Sequence, residues 1–166
     1  MLNYTYDLPI FKNNKGLAGT LLGGWEVAGI TLIESGLALN PTLSYDNLGL
    51  GGNATDRPNL VSAITYPGTV GQFFSTSAFA APASLAWGNS QEGAIRGPGR
   101  INFNLSFFKQ FRYREKANLR FGAEFYNAFN HTQFHDLNTS FGNSAFGQVT
   151  DTYDARTIEL SLKLSF

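Results

Sequence analysis

The chain has 166 residues, and its 12 Lys+Arg balance 12 Asp+Glu to give a formal net charge of zero. With 14% charged residues, against about 25% in ordinary soluble domains, it lacks the basic surplus that nucleic-acid phosphates demand, and 43% hydrophobic content excludes general disorder. Cysteine is absent and histidine occurs twice, which removes thiol catalysis, disulfide scaffolds and zinc–thiolate sites and leaves little for a metal centre.

In chain order, the first signal is Leu2, Tyr4, Tyr6 and Leu8 alternating with Asn3, Thr5 and Asp7, a period-2 strand closed by Pro9. A linker from Lys12 to Gly24 carries two turn signals, Asn13-Asn14-Lys15-Gly16 and Gly23-Gly24. Trp25, Val27, Gly29, Thr31 and Ile33 then share one face of a strand ending near Ser35-Gly36. The 64 residues from Gly36 to Gly99 show no sustained alternation and are punctuated by Pro, Gly and Asn, so they are expected to form a long, poorly ordered loop. Ile101, Phe103, Leu105, Phe107 and Phe111 alternate with Asn102, Asn104, Ser106 and Gln110, with Lys109 the one break in the apolar face. Four polar-rich residues, Arg114-Glu115-Lys116-Ala117, fit a tight hairpin into the next strand. There Leu119, Phe121, Ala123, Phe125 and Phe129 oppose Asn118, Arg120, Glu124 and Tyr126. The last segment alternates strictly: Ile158, Leu160, Leu162, Leu164 and the terminal Phe166 on one face, with Thr157, Glu159, Ser161, Lys163 and Ser165 between them. The strands therefore fall near residues 2–8, 24–35, 101–112, 117–130 and 155–166, with a long loop over 36–99. The chain is all-β.

Alternation does not say whether the apolar face meets a protein core or lipid, and a soluble β-sandwich that binds a ligand or carbohydrate is the alternative reading. Three features favour lipid. The opposite face is polar at nearly every position, including Arg120, Glu124, Glu159 and Lys163, as a water-filled lumen requires. Aromatic residues gather toward strand ends, as in interfacial girdles. Connections alternate short and long, the rhythm of periplasmic turns and extracellular loops. No apolar run approaches a membrane helix, and the N-terminus shows no secretory leader. Because the smallest membrane barrels use about eight strands, the five strands are expected to be part of a larger antiparallel transmembrane β-barrel. Taken alone, they are expected to form an open, strongly twisted sheet.

Taken together, Leu8-Pro9, Gly23-Gly24-Trp25-Glu26, Asp56-Arg57-Pro58-Asn59-Leu60, Arg96-Gly97-Pro98-Gly99, Phe108-Lys109-Gln110-Phe111, Glu124-Phe125-Tyr126-Asn127-Ala128-Phe129-Asn130-His131, Phe146-Gly147-Gln148 and the closing strand stand in an order and spacing that resembles the C-terminal end of TonB-dependent outer-membrane receptors, the Oar-like group with a carboxypeptidase-regulatory-like domain. The resemblance implies a barrel of about 22 strands with a plug, located in the bacterial cell outer membrane and opened by the TonB complex through an N-terminal part missing here. It implies that Ile158, Leu160, Leu162, Leu164 and Phe166 form the signal read by the barrel-assembly machinery, and that outer-membrane lipid surrounds the wall. It names no substrate.

No other motif carries chemistry. His131 and His135, with Asp136, have the spacing of a metal pair, but that spacing acts on a helix and here follows a strand, so a loop motif without a metal is expected. Arg120 with Glu124, and Glu159 with Lys163, read as a lumen-facing charge ladder rather than an acid–base pair. Gly49-Leu50-Gly51-Gly52-Asn53 has no following helix to cradle a phosphate, and Asn53-Ala54-Thr55 is only a formal sequon. No cofactor and no enzymatic activity are expected; the long loop, with Tyr45, Tyr66, Phe73, Phe74, Phe79 and Trp87, is the best place for ligand contact.

Overall fold

The computed structural model describes residues 1–11, 16–51, 56–113 and 117–166. The turn residues Asn13, Asn14 and Lys15, the hairpin residues Arg114, Glu115 and Lys116, and Gly52 with the Asn53-Ala54-Thr55 sequon lie outside them. The described strands are β1 (Leu2–Asp7), β2 (Trp25–Glu34), β3 (Ala38–Leu39), β4 (Thr42–Leu43), β5 (Asn59–Leu60), β6 (Phe79–Ala80), β7 (Ile95–Arg96), β8 (Arg100–Tyr113), β9 (Ala117–Tyr126), β10 (Ser140–Phe141) and β11 (Thr157–Ser165). They fall into two units: residues 1–33, 101–132 and 154–166 form the first, and 34–100 with 133–153 the second.

The first unit is a five-stranded sheet in the order β1-β2-β8-β9-β11. β1 runs antiparallel to β2, β8 to β9, and β9 to β11. The registers align like with like. Leu105, Phe125 and Ile158 form one apolar row, Phe107, Ala123 and Leu160 the next, then Phe121 and Leu162 with Lys109 as the one polar member, then Phe111, Leu119 and Leu164. Polar rows alternate with these: Ser106, Glu124 and Glu159; Gln110, Arg120 and Lys163; Arg112, Asn118 and Ser165. A one-residue slip would exchange the two faces, so the matched patterns fix the register.

The apolar face is left uncovered on β11, where Leu160 is 71% and Leu162 69% exposed. Leaving a leucine in water rather than burying it forgoes roughly 1.5–3 kcal/mol, so a continuous uncovered row needs an apolar solvent. β1 and β11 are the sheet's two edges, and among the described residues no pairing joins them. On β1 the Tyr4 ring lies across Gly29, where a Cβ would meet it at 2.4 Å, so a glycine in mid-strand makes room for an aromatic cross-strand cover.

One element departs from the expected linker. Leu17–Leu22 forms a single helical turn-and-a-half, α1, held by the Gly23 N–H on the Gly19 carbonyl and by the Trp25 indole Nε1 donating to the Leu21 carbonyl at 3.1 Å. β9 also ends earlier than the alternation, because Asn127 turns into the left-handed region at φ 51°. Phe129 therefore leaves the ladder, although its ring still packs edge-on against Phe103 at 5.2 Å.

The second unit corrects the expectation of a poorly ordered loop. Phe74, Ala78, Phe79 and Ile95 are buried, and Leu39, Leu60, Ile64, Phe73, Leu137, Phe141 and Phe146 pack around them. Phe74, Phe79 and Phe146 stack edge-to-face in a triangle with centroids 5.2 to 6.0 Å apart. The core draws on both long connections, and short pairings β3–β7, β5–β6 and the parallel β4–β10 tie them. Periodicity cannot reveal such a core, because two-residue strands never complete an alternation.

Candidate functional site

The polar face of the sheet holds the predicted lumen residues. Glu124 lies directly opposite Glu159, and Arg120 directly opposite Lys163. The ladder is thus banded, with two acids at one level and two bases four residues along each strand. Like charges facing one another across strands are mildly destabilising by themselves, so their separation into bands is a feature of a solvated wall rather than of ion pairing. Arg120 stacks its guanidinium over Phe108, 4.5 Å from the ring centroid. Phe108 itself fits on this face because Gly122 opposite has no side chain; a Cβ there would sit 3.2 Å from the ring and 2.5 Å from the Ser161 hydroxyl.

Two grooves run along this face. One, about 460 Å³, is lined by Asp7, Glu26, Gln110, Arg112 and Arg120. The other, about 500 Å³, is lined by Asn3, Thr5, Asn104, Ser106, Glu124 and Tyr126. Both offer hydrogen-bonding groups, of mixed charge in the first and with Glu124 as the charged member of the second. Neither brings a nucleophile, base and orienting group together.

At the end of β9, the Asn127–His131 segment shapes the backbone. The Asn127 Oδ1 accepts the His131 N–H, its Nδ2 donates to the His131 and Asp154 carbonyls, and Asn130 Oδ1 accepts the Arg156 N–H. Asn104 Oδ1 accepts the Asn127 N–H from the neighbouring strand. The two asparagines close the turn that returns the chain to β11.

In the second unit the Asp56-Arg57-Pro58-Asn59 segment acts as a clasp. Asp56 is 2% exposed, and its Oδ2 accepts the N–H groups of Asn47 and Leu48 at 2.7 and 3.1 Å. Asn59 and Asn89 exchange side-chain to backbone hydrogen bonds: Leu60 N–H to Asn89 Oδ1, and Asn89 N–H to Asn59 Oδ1. Asp46 gathers the N–H groups of Gly49 and Gly51 at 2.7 and 2.8 Å, and these bonds, Gly51 first, hold its carboxyl below the ordinary aspartate value. The described part of the glycine-rich run, Gly49 to Gly51, is thus an aspartate-centred turn.

Of the loop aromatics, Phe73, Phe74 and Phe79 belong to the hydrophobic cluster, whereas Trp87, Tyr45 and Tyr66 stay exposed. The two histidines fall in different units. His135 instead meets Asp136 and Asp151, its Nδ1 3.3 and 3.7 Å from their carboxylates, while its ring stacks against Tyr153. Local spacing could not signal Asp151, which arrives through backbone bonds from His135 and Asp136 to its own carbonyl. All three side chains are exposed, so each keeps its hydration.

An antiparallel sheet with one apolar and one polar face, open to an apolar solvent on the first, defines a membrane-wall protein. Residues 1–159 match the model of the outer membrane beta barrel domain, and the chain belongs to that family. No curated protein and no solved structure matches it. Family membership locates the chain in the bacterial outer membrane.

Proposed function

We propose that this chain is the C-terminal part of a TonB-dependent outer-membrane transporter. It completes the pore wall, presents Arg120, Glu124, Glu159 and Lys163 to the lumen, and carries the signal for the barrel-assembly machinery in Ile158, Leu160, Leu162, Leu164 and Phe166. TonB acts through a segment N-terminal to it, and by itself the chain moves no substrate and catalyses no reaction. The observation that supports this reading is the open sheet: five long strands with two free edges, where each unpaired backbone group in lipid costs several kcal/mol. Further strands of the same barrel relieve that cost.

Gel-resolved outer membranes, searched for peptides of this chain, test the proposal. The expected carrier is a receptor-sized polypeptide that also yields plug peptides and crosslinks to TonB in vivo. Recovery of the peptides only from a band near 18.1 kDa, uncrosslinked by TonB, would overturn it. The assembly role has its own readout: removing Phe166 is expected to lower the folded barrel in the outer membrane and leave protein for periplasmic proteolysis.

A further inference from the structure

Lys109 interrupts the apolar face of β8, and its surroundings are unlike those of the residues beside it. It is 4% exposed, and among the described residues it forms no hydrogen bond and no ion pair. Its partner across the ladder is Phe121, and the Trp25 ring from β2 reaches across to meet Phe121 edge-on at 6.1 Å. Because β8 lies between β2 and β9, the two rings close over the lysine stem. The ammonium stands 5.3 Å from the Phe111 centroid and beside Gly24, where an added Cβ would lie 3.6 Å from Nζ.

These contacts also give a direction. The side chain runs along β8 toward the Gly23-Gly24 turn that opens β2, and so toward the end of the sheet where connections are short and where β11 finishes. In outer-membrane barrels that end is periplasmic. A lysine on a lipid-facing wall extends its ammonium to the nearest polar layer and lays its methylenes along apolar surface. Trp25 marks the same depth, since tryptophan concentrates at the membrane–water boundary, and its indole N–H is occupied by the Leu21 carbonyl. Among the described residues the ammonium then has the Phe111 ring beside it and no hydrogen-bond acceptor. Both strands flanking β8 belong to this chain.

We propose that Lys109, framed by Gly24, Trp25 and Phe111, seats the phosphate of a membrane-lipid headgroup of the periplasmic leaflet on the outer wall of the barrel. This rests on the apolar face meeting lipid and not on the transport reading. A phosphate oxygen is a strong acceptor for an ammonium held in low dielectric, and Gly24, at φ 68°, keeps the approach to Nζ free of a side chain.

The test uses the protein extracted from its outer membrane in nonionic detergent, with dioleoylphosphatidylglycerol as the probe in native mass spectrometry. Wild type and Lys109→Arg are expected to retain one lipid more than Lys109→Met, with apparent affinity weaker by about tenfold in the methionine variant. Inorganic phosphate in hundredfold excess is expected to leave that lipid in place. Equal retention by wild type and Lys109→Met overturns the proposal, as does displacement by inorganic phosphate, which identifies a site for free anions. A second readout needs no variant: nitrogen-15 lysine to phosphorus-31 dipolar recoupling in bilayers of the same lipid is expected to place one lysine ammonium in phosphate contact. Heat-modifiable electrophoresis reports barrel folding independently, and a folded wild-type barrel without that contact refutes the seat.

Discussion

Truncating Phe74 to alanine tests whether the second unit has a core that holds it together. Phe74 is 0% exposed and stacks on Phe79 and Phe146 at 6.0 and 5.2 Å. Removing a fully buried Phe costs about 3–5 kcal/mol, and the two edge-to-face contacts place Phe74→Ala toward the upper part of that range. Trp87→Ala, at a 64% exposed aromatic of the same unit, is the control and falls within about 0.5 kcal/mol. When opening is fast relative to cleavage, proteolysis follows the population of the open form. A loss of about 3 kcal/mol then raises cleavage more than a hundredfold, since each 1.4 kcal/mol is a factor of ten. Under the proposed orientation, with these loops outside the cell, proteinase K added to intact cells reads this directly. The expected result is rapid cleavage within 34–100 and 133–153 in Phe74→Ala, slow cleavage in Trp87→Ala, and a protected sheet in both. Indistinguishable cleavage rates for the two variants would refute the reasoning.

Three further outcomes follow from the sheet and the loops. Leu162→Arg, on the lipid-facing row, is expected to destabilise the folded barrel by about 2–4 kcal/mol at mid-depth, whereas Ser161→Arg on the polar face has little effect; urea titration in lipid vesicles, read by heat-modifiable electrophoresis, compares them. Glu159→Lys places opposite charges across from Glu124 and is expected to stabilise the β9–β11 pair by about 0.2–1 kcal/mol, seen as slower amide exchange in β11; faster exchange would contradict the register. The Asp46 carboxyl titrates below its ordinary 3.8 in the folded chain, so its hold on the turn is present above that value and is lost as pH falls through the lowered one. Amide exchange at Gly49 and Gly51, corrected for intrinsic rate, is expected to accelerate below pH 3.8 and to be insensitive to pH in Asp46→Asn.

The sheet was legible because each strand repeats one instruction. Ile158 to Phe166 and Leu119 to Phe125 alternate without a break, and the same alternation that defines a strand also selects its face. The pairings that give the wall its electrostatic character were not legible. Glu124 and Glu159 are 35 positions apart, and only the register across β9 and β11 makes them neighbours. The second unit was hidden for a related reason: Phe74, Phe79, Ile95 and Phe146 follow no period, and their environment is assembled by Asp56, Asn59 and Asn89 through side-chain to backbone bonds. The spacing of His131 and His135 carries no signal off a helix, and the residue that joins His135 and Asp136, Asp151, is brought by backbone bonds that local spacing does not encode.

The shared construction of the second unit has an immunological consequence. Its surface is composed from two stretches, 34–100 and 133–153, separated in sequence by the β8–β9 hairpin. An antibody or a phage tail fibre that reads this surface reads a discontinuous determinant, and neither stretch supplied as a free peptide reproduces it. Under the proposed orientation, variation is then free at exposed positions such as Trp87 and Tyr45. It is closed at the buried phenylalanines, because a change in one stretch unseats the epitope contributed by the other.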